Sequence, residues 1–144
     1  MAGDGEKKKI LIVDDEEKFA NMVKKNLESL GSYEVRVESK GLKGVDAAKE
    51  FRPDLILLDV IMPDRRGTEV AFEIRETDKI KDTPIVFLTA TVGKGQSEAF
   101  GGLVGGRPFT IKPAISKPVS TKDLVKTIEE NLKKPAGEPE KTQA

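Results

Sequence analysis

Histidine and cysteine are both absent from the 144 residues. Their absence excludes zinc sites of the Cys/His kind, Ser-His-Asp and Cys-His catalysis, haem attachment, disulfides and dithiol redox work. Chemistry must then rest on carboxylates, Lys and Arg, hydroxyls, backbone amides or a hard cation such as Mg²⁺. Excess charge of one sign is lacking too: 25 Lys+Arg balance 25 Asp+Glu. That balance argues against a dedicated nucleic-acid binder, which would normally be basic. Long apolar runs are missing as well, since those present have four or five residues flanked by charge. A membrane span needs about 18. Before Asp14 and Asp15 the N-terminus carries Lys but no apolar stretch of the signal-peptide kind, so a cytoplasmic location is expected.

What is present reads as one domain. Hydrophobic residues make up 37% of the chain and, with 13 Gly, suffice for a core; the 35% that are charged imply a well-solvated surface. Ile10-Leu-Ile-Val13, Leu55-Ile-Leu-Leu58 and Ile85-Val-Phe-Leu88 are too short for helices and do not alternate. Strands of a parallel sheet covered on both faces read this way. Tyr33 to Glu38 alternates instead, as an edge strand does.

Helical stripes lie between them. Phe19, Met22, Val23, Leu27 and Leu30 form one that stops at Gly31, and Leu42, Val45, Ala48 and Phe51 form another before Pro53. Val70, Phe72 and Ile74 make a weaker stripe after Gly67. Leu124, Val125, Ile128 and Leu132 make the last, opened by Ser120 with Asp123 three residues on. Strand and helix alternate about five times, so a doubly wound α/β fold is expected, with helices on both faces. The domain is placed at 7–133, and 134–144, polar with two Pro, as a disordered tail. A fourth helix should sit over 93–106, but six Gly fall there, so it is expected to be short, frayed or partly missing.

The buried runs end in small polar residues: Asp14-Asp15, Asp59 and Thr89. Ligands of open α/β sheets bind outside the carboxyl ends of the strands, so these residues define a candidate site. Three carboxylates there call for a cation, and oxygen-only ligation selects Mg²⁺. A carboxylate can also attack phosphorus. Thr89 offers a hydroxyl to the product, and Lys117 a compact cation. Taken alone, Asp14-Asp15 would be an ordinary helix cap and Thr89 an ordinary loop hydroxyl.

Four motifs in order, Ile10-Leu-Ile-Val-Asp-Asp-Glu16, Leu55-Ile-Leu-Leu-Asp-Val-Ile-Met-Pro63 with Gly67, Val86-Phe-Leu-Thr-Ala90 and Ile115-Ser-Lys-Pro118, resemble the receiver domain of two-component response regulators. The resemblance implies a flavodoxin-like five-stranded sheet of order 2-1-3-4-5, with Asp59 as phosphoacceptor. It also implies Asp15 as a direct Mg²⁺ ligand, Asp14 acting through a metal-bound water, the backbone carbonyl of Ile61 as a further ligand, and Thr89 and Lys117 on the phosphoryl oxygens. The implied phosphodonor is a sensor histidine kinase or a histidine phosphotransfer protein. With no His of its own, the chain is the receiving side of such a relay. Output is then expected through contact with another protein, without nucleic acid or membrane, and the molecule is a switch rather than an enzyme. A receiver-like scaffold that binds partners unphosphorylated is the alternative. A haloacid-dehalogenase-type phosphatase would need a second Asp where Ile61 stands.

The lysine has two candidates, Lys112 before Pro113 and Lys117 before Pro118. Phe109-Thr-Ile-Lys112 carries the family's aromatic, but Lys117 lies seven residues before Leu124 and Lys112 twelve. Lys117 is the choice, which puts Ala114 where the aromatic usually sits.

Overall fold

The structure is a computed structural model that describes residues 6–89, 102–104, 107–109, 114–117 and 119–132. Strands β1 (Lys8–Val13), β2 (Tyr33–Glu38), β3 (Leu55–Asp59) and β4 (Ile85–Thr89) are joined through helices α1 (Glu17–Glu28), α2 (Gly44–Phe51) and α3 (Gly67–Arg75). A two-stranded antiparallel pair, β5 (Gly102–Val104) and β6 (Arg107–Phe109), precedes β7 (Ala114–Ser116) and the last helix, α4 (Thr121–Leu132). The main sheet has the order β2-β1-β3-β4-β7, all pairs parallel. Counting only its own strands along the chain, this is 2-1-3-4-5, the flavodoxin-like α/β arrangement.

The interiors of β1, β3 and β4 are apolar without interruption because helices cover both faces, whereas the edge strand β2 alternates. Leu11, Val13, Ile56, Leu58 and Phe87 face Val45, Ala48, Val70, Ala71 and Ile74 of α2 and α3. Their neighbours Ile10, Ile12, Leu57, Val86 and Leu88 face Ala20, Val23 and Leu27 of α1 and Leu124 and Ile128 of α4. Burying each of these larger side chains contributes about 1.5–3 kcal/mol before the entropy of ordering is charged.

The helical stripes need correction at their ends. Met22, Leu30 and Leu42 are 46%, 52% and 63% exposed, not core. Met22 lies about 100° around α1 from Val23, and Ala20 takes the buried place instead. Leu30 falls beyond the helix, in the turn completed by Gly31 at φ +87°. Leu42 belongs to a 3₁₀ turn (Gly41–Lys43), where the α-helical spacing no longer applies. In α3 the buried positions are Val70, Ala71 and Ile74, and Phe72 is half-buried. At α4 the Ser120 hydroxyl accepts the Asp123 N–H at 3.1 Å, so the capping signal is realised.

The expected helix over 93–106 is strand where it is described, at 102–104; 93–101 and 105–106 lie outside the described residues, as does the expected tail at 134–144. Between the paired Val104 and Arg107 the sequence has Gly105-Gly106, a composition that short hairpin connections favour.

Candidate functional site

Register brings the polar ends together. Val13 pairs with Leu58, so Asp14 stands beside Asp59, and Asp59 pairs with Leu88, just before Thr89. Thr89 pairs with Ser116, and its carbonyl accepts the Lys117 N–H at 2.8 Å. The loop after β3 is anchored by buried Val60 and Met62, leaving Ile61 exposed between them. Gly67 closes that loop, donating its N–H to the Val60 carbonyl at 2.7 Å. A Cβ on Gly67 would stand 2.0 Å from the Asp59 carbonyl oxygen, so only glycine fits here.

Carboxylate oxygens of Asp14, Asp15 and Asp59 lie within 4.8 Å of one another. Asp14 is fully enclosed: Oδ1 accepts the Glu16 N–H at 2.9 Å, and Oδ2 meets Lys117 Nζ at 2.9 Å. The Lys117 ammonium is also 2.8 Å from Glu16 Oε1, 3.8 Å from Asp59 Oδ1 and 4.8 Å above the centre of the Phe19 ring. Burial disfavours its charge, but the bonds to Glu16 and Asp14 and the nearby Asp59 outweigh this and hold its pKa above the ordinary value. Asp59 is shifted upward too, which for a carboxyl disfavours the charge. Burial, then the Asp14 charge, raise its carboxyl to about 7, against the opposing pull of Lys117.

Such crowding of oxygen donors, one of them reluctant to ionise, suits a hard divalent cation. Asp15 is the most open of the three acids. Thr89 Oγ1 is buried and has no hydrogen-bond partner among the described residues.

Asp14, Asp15, Asp59, Thr89 and Lys117 therefore share one edge of the sheet, with Ile61 on the loop beside it. Lys112 lies outside the described residues. Ala114 opens β7 opposite Phe87 and packs on the α2/α3 core. Sequence reasoning passed over Glu16 and placed Phe19 only in a helical stripe, yet both contact the lysine; the place of Glu16 directly after the acid pair was the available signal. It also passed over Asp64, whose carboxylate accepts the Gly41 and Leu42 N–H groups at 3.1 and 3.0 Å. The bond from Leu42, more than that from Gly41, holds the Asp64 carboxyl below its ordinary pKa.

Comparison with known proteins agrees with this geometry. Residues 10–129 match the family model of the response regulator receiver domain. The polar-differentiation response regulator DivK of Brucella anthropi is 32% identical over 125 residues, covering 87% of this chain and 96% of DivK. The chemotaxis protein CheY4 of Vibrio cholerae is 30% identical at TM-score 0.69, covering 87% of this chain and 98% of CheY4. The receiver domain of the sensor histidine kinase PA1611 of Pseudomonas aeruginosa, solved with a magnesium ion in its active-site cleft, is 26% identical at TM-score 0.73, covering 89% and 99% of the two chains. With its sheet order, its acid cluster and these relatives in agreement, the chain belongs to the response regulator receiver domains of two-component signal transduction.

Proposed function

We propose that the protein is a cytoplasmic receiver that takes a phosphoryl group onto Asp59 and signals through contact with another protein. The donor is a phosphohistidine on a partner, a histidine kinase or a phosphotransfer protein. One observation carries the reading: Asp59 lies among two further carboxylates, the Lys117 ammonium and the buried Thr89 hydroxyl, all at the carboxyl end of the sheet.

In the reaction a carboxylate oxygen of Asp59 bonds to phosphorus as the P–N bond breaks. The electron pair stays on the departing imidazole nitrogen, which takes up a proton. Asp15, the open acid, suits direct contact with Mg²⁺; Asp14, enclosed and engaged by Lys117, suits contact through water; the Ile61 carbonyl completes the set. A magnesium ion held there would offset the charge collecting on Asp59 and the phosphoryl oxygens. Lys117 and Thr89 would receive those oxygens. The molecule is then a switch that assists only its own phosphorylation and dephosphorylation.

Intact-mass measurement after incubation with Mg²⁺ and excess acetyl phosphate tests this. One added phosphoryl group is expected, absent without Mg²⁺ and absent in Asp59→Asn. No gain in the wild type would favour a scaffold that binds partners unphosphorylated, and a retained gain in Asp59→Asn would remove Asp59 from its role.

A further inference from the structure

Lys117 has two carboxylate partners in direct contact, and only one of them, Asp14, belongs to the acid cluster. The other is Glu16, at 2.8 Å, closer than the 3.8 Å that separates the ammonium from Asp59. Lys117 is 7% exposed, whereas Glu16 is 58% exposed and approaches from the solvent side. Phe19 covers another side of the ammonium. The cation is thus directed at Asp14 and Glu16, and stands off Asp59 beyond hydrogen-bond distance.

We infer that Glu16 is a positioning residue: its carboxylate holds Lys117 away from Asp59 and so sets how readily the site accepts a phosphoryl group. This rests on the reading of Asp59 as phosphoacceptor. When Asp59 gains a doubly charged group, Lys117 must close on its oxygens, and the bond to Glu16 stretches or breaks. Glu16 therefore stabilises the unoccupied arrangement relative to the occupied one. Glu16 caps α1 with its backbone carbonyl, which accepts the Ala20 N–H at 3.0 Å, and its side chain makes no cap bond. Because one member of the pair is open to water, the effect is modest, on the scale of a half-exposed ion pair.

Trifluoroberyllate binds a carboxylate oxygen in the manner of a phosphoryl group, and ¹⁹F NMR reads its bound fraction at saturating Mg²⁺. Mg²⁺ is titrated separately for each variant, since Glu16 also adds negative charge near the metal ligands. Glu16→Gln is expected to tighten trifluoroberyllate about two- to fivefold. Glu16→Asp keeps the charge but is one methylene too short for the contact, and is expected to behave like Gln. Unchanged or weakened binding in Glu16→Gln overturns the inference. So does a Glu16→Asp that matches wild type while Gln binds tighter, because charge alone would then suffice. If the wild type itself binds no trifluoroberyllate, the phosphoacceptor reading falls first and takes this inference with it. Urea unfolding of both variants should stay close to wild type, separating positioning from damage to the fold.

Discussion

At the amino ends of the strands polar groups are paired and close to the surface. The Lys9 N–H donates to Asp54 Oδ2 at 2.8 Å, the Asp54 N–H returns a bond to the Lys9 carbonyl at 2.7 Å, and the Lys9 ammonium lies 5.0 Å above the Phe51 ring. Tyr33 donates its hydroxyl to Glu129 of α4. At the carboxyl ends, a few residues along the same strands, Asp14, Asp59 and Thr89 are buried, two of them carboxylates forced together and the third without a partner among the described residues. One sheet supports both arrangements. Its amino end pairs its polar groups, and its carboxyl end crowds its carboxylates and buries a hydroxyl unpaired among the described residues, an arrangement that costs stability.

The largest effect that tests this contrast is expected at Gly67. Its hydrogen meets the Asp59 carbonyl where a methyl group would stand 2.0 Å away, against backbone that cannot swing aside. Gly67→Ala is expected to cost about 3 kcal/mol or more in urea unfolding. It would also displace the loop that carries Ile61 and blunt phosphoryl uptake. Wild-type stability in this variant would mean that the carboxyl edge is far more yielding than its packing implies.

Next in size is the charge conflict at Asp59. Its carboxyl is raised from 3.8 to about 7 in the folded protein, chiefly by burial and then by Asp14. A raised acid binds its proton more tightly when folded, so without metal its penalty is absent below about pH 4 and complete above about pH 7. The full shift corresponds to about 4 kcal/mol; water entry and side-chain relaxation soften the penalty of a buried carboxylate, so Asp59→Asn should be more stable than wild type at pH 8 by about half of that, about 2 kcal/mol, a gain that fades as the pH falls toward 4. Chemical unfolding with chelator present, at several pH values, measures it. Mg²⁺ should stabilise wild type at pH 8 and do little for the variant. An Asn variant less stable than wild type at pH 8 would show that Lys117 overcompensates the repulsion.

This division of labour was partly readable from the residues. Uninterrupted apolar runs of four, each closed by Asp or Thr, carry both the two-sided burial and the polar edge, because a parallel strand needs apolar side chains until it leaves the sheet. Register then follows, and Asp14 stands next to Asp59. The surroundings of Lys117 were not readable in the same way. Glu16 and Phe19 look like the start of an amphipathic helix, and their contacts with a lysine about a hundred residues later depend on β7 lying beside β4. Helical spacing also put Leu42 in the core because nothing in the sequence announces a 3₁₀ turn ahead of α2. The close approach at Gly67 is equally silent, since a glycine after Pro63 reads as ordinary loop punctuation.

The smallest expected effect lies at the amino end and has the opposite sign. Tyr33 begins β2, is buried to within 3% and joins the edge strand to α4 through Glu129, a contact between distant parts of the chain. Burial, then the bond to Glu129, raise the phenol well above its ordinary pKa, so it stays a donor throughout the neutral range. Tyr33→Phe keeps the ring and removes only the hydroxyl. It is expected to cost about 1 kcal/mol, because the Glu129 carboxylate can turn to water and recover part of the loss. Urea unfolding at pH 7 checks it, with Glu129→Gln expected to cost less. Removing a polar group would thus weaken the fold at one end of the sheet and, with Asp59→Asn, strengthen it at the other. If Tyr33→Phe were also stabilising, buried polarity would be a burden at both ends, and the carboxyl edge would lose its claim to be the place where stability is exchanged for function.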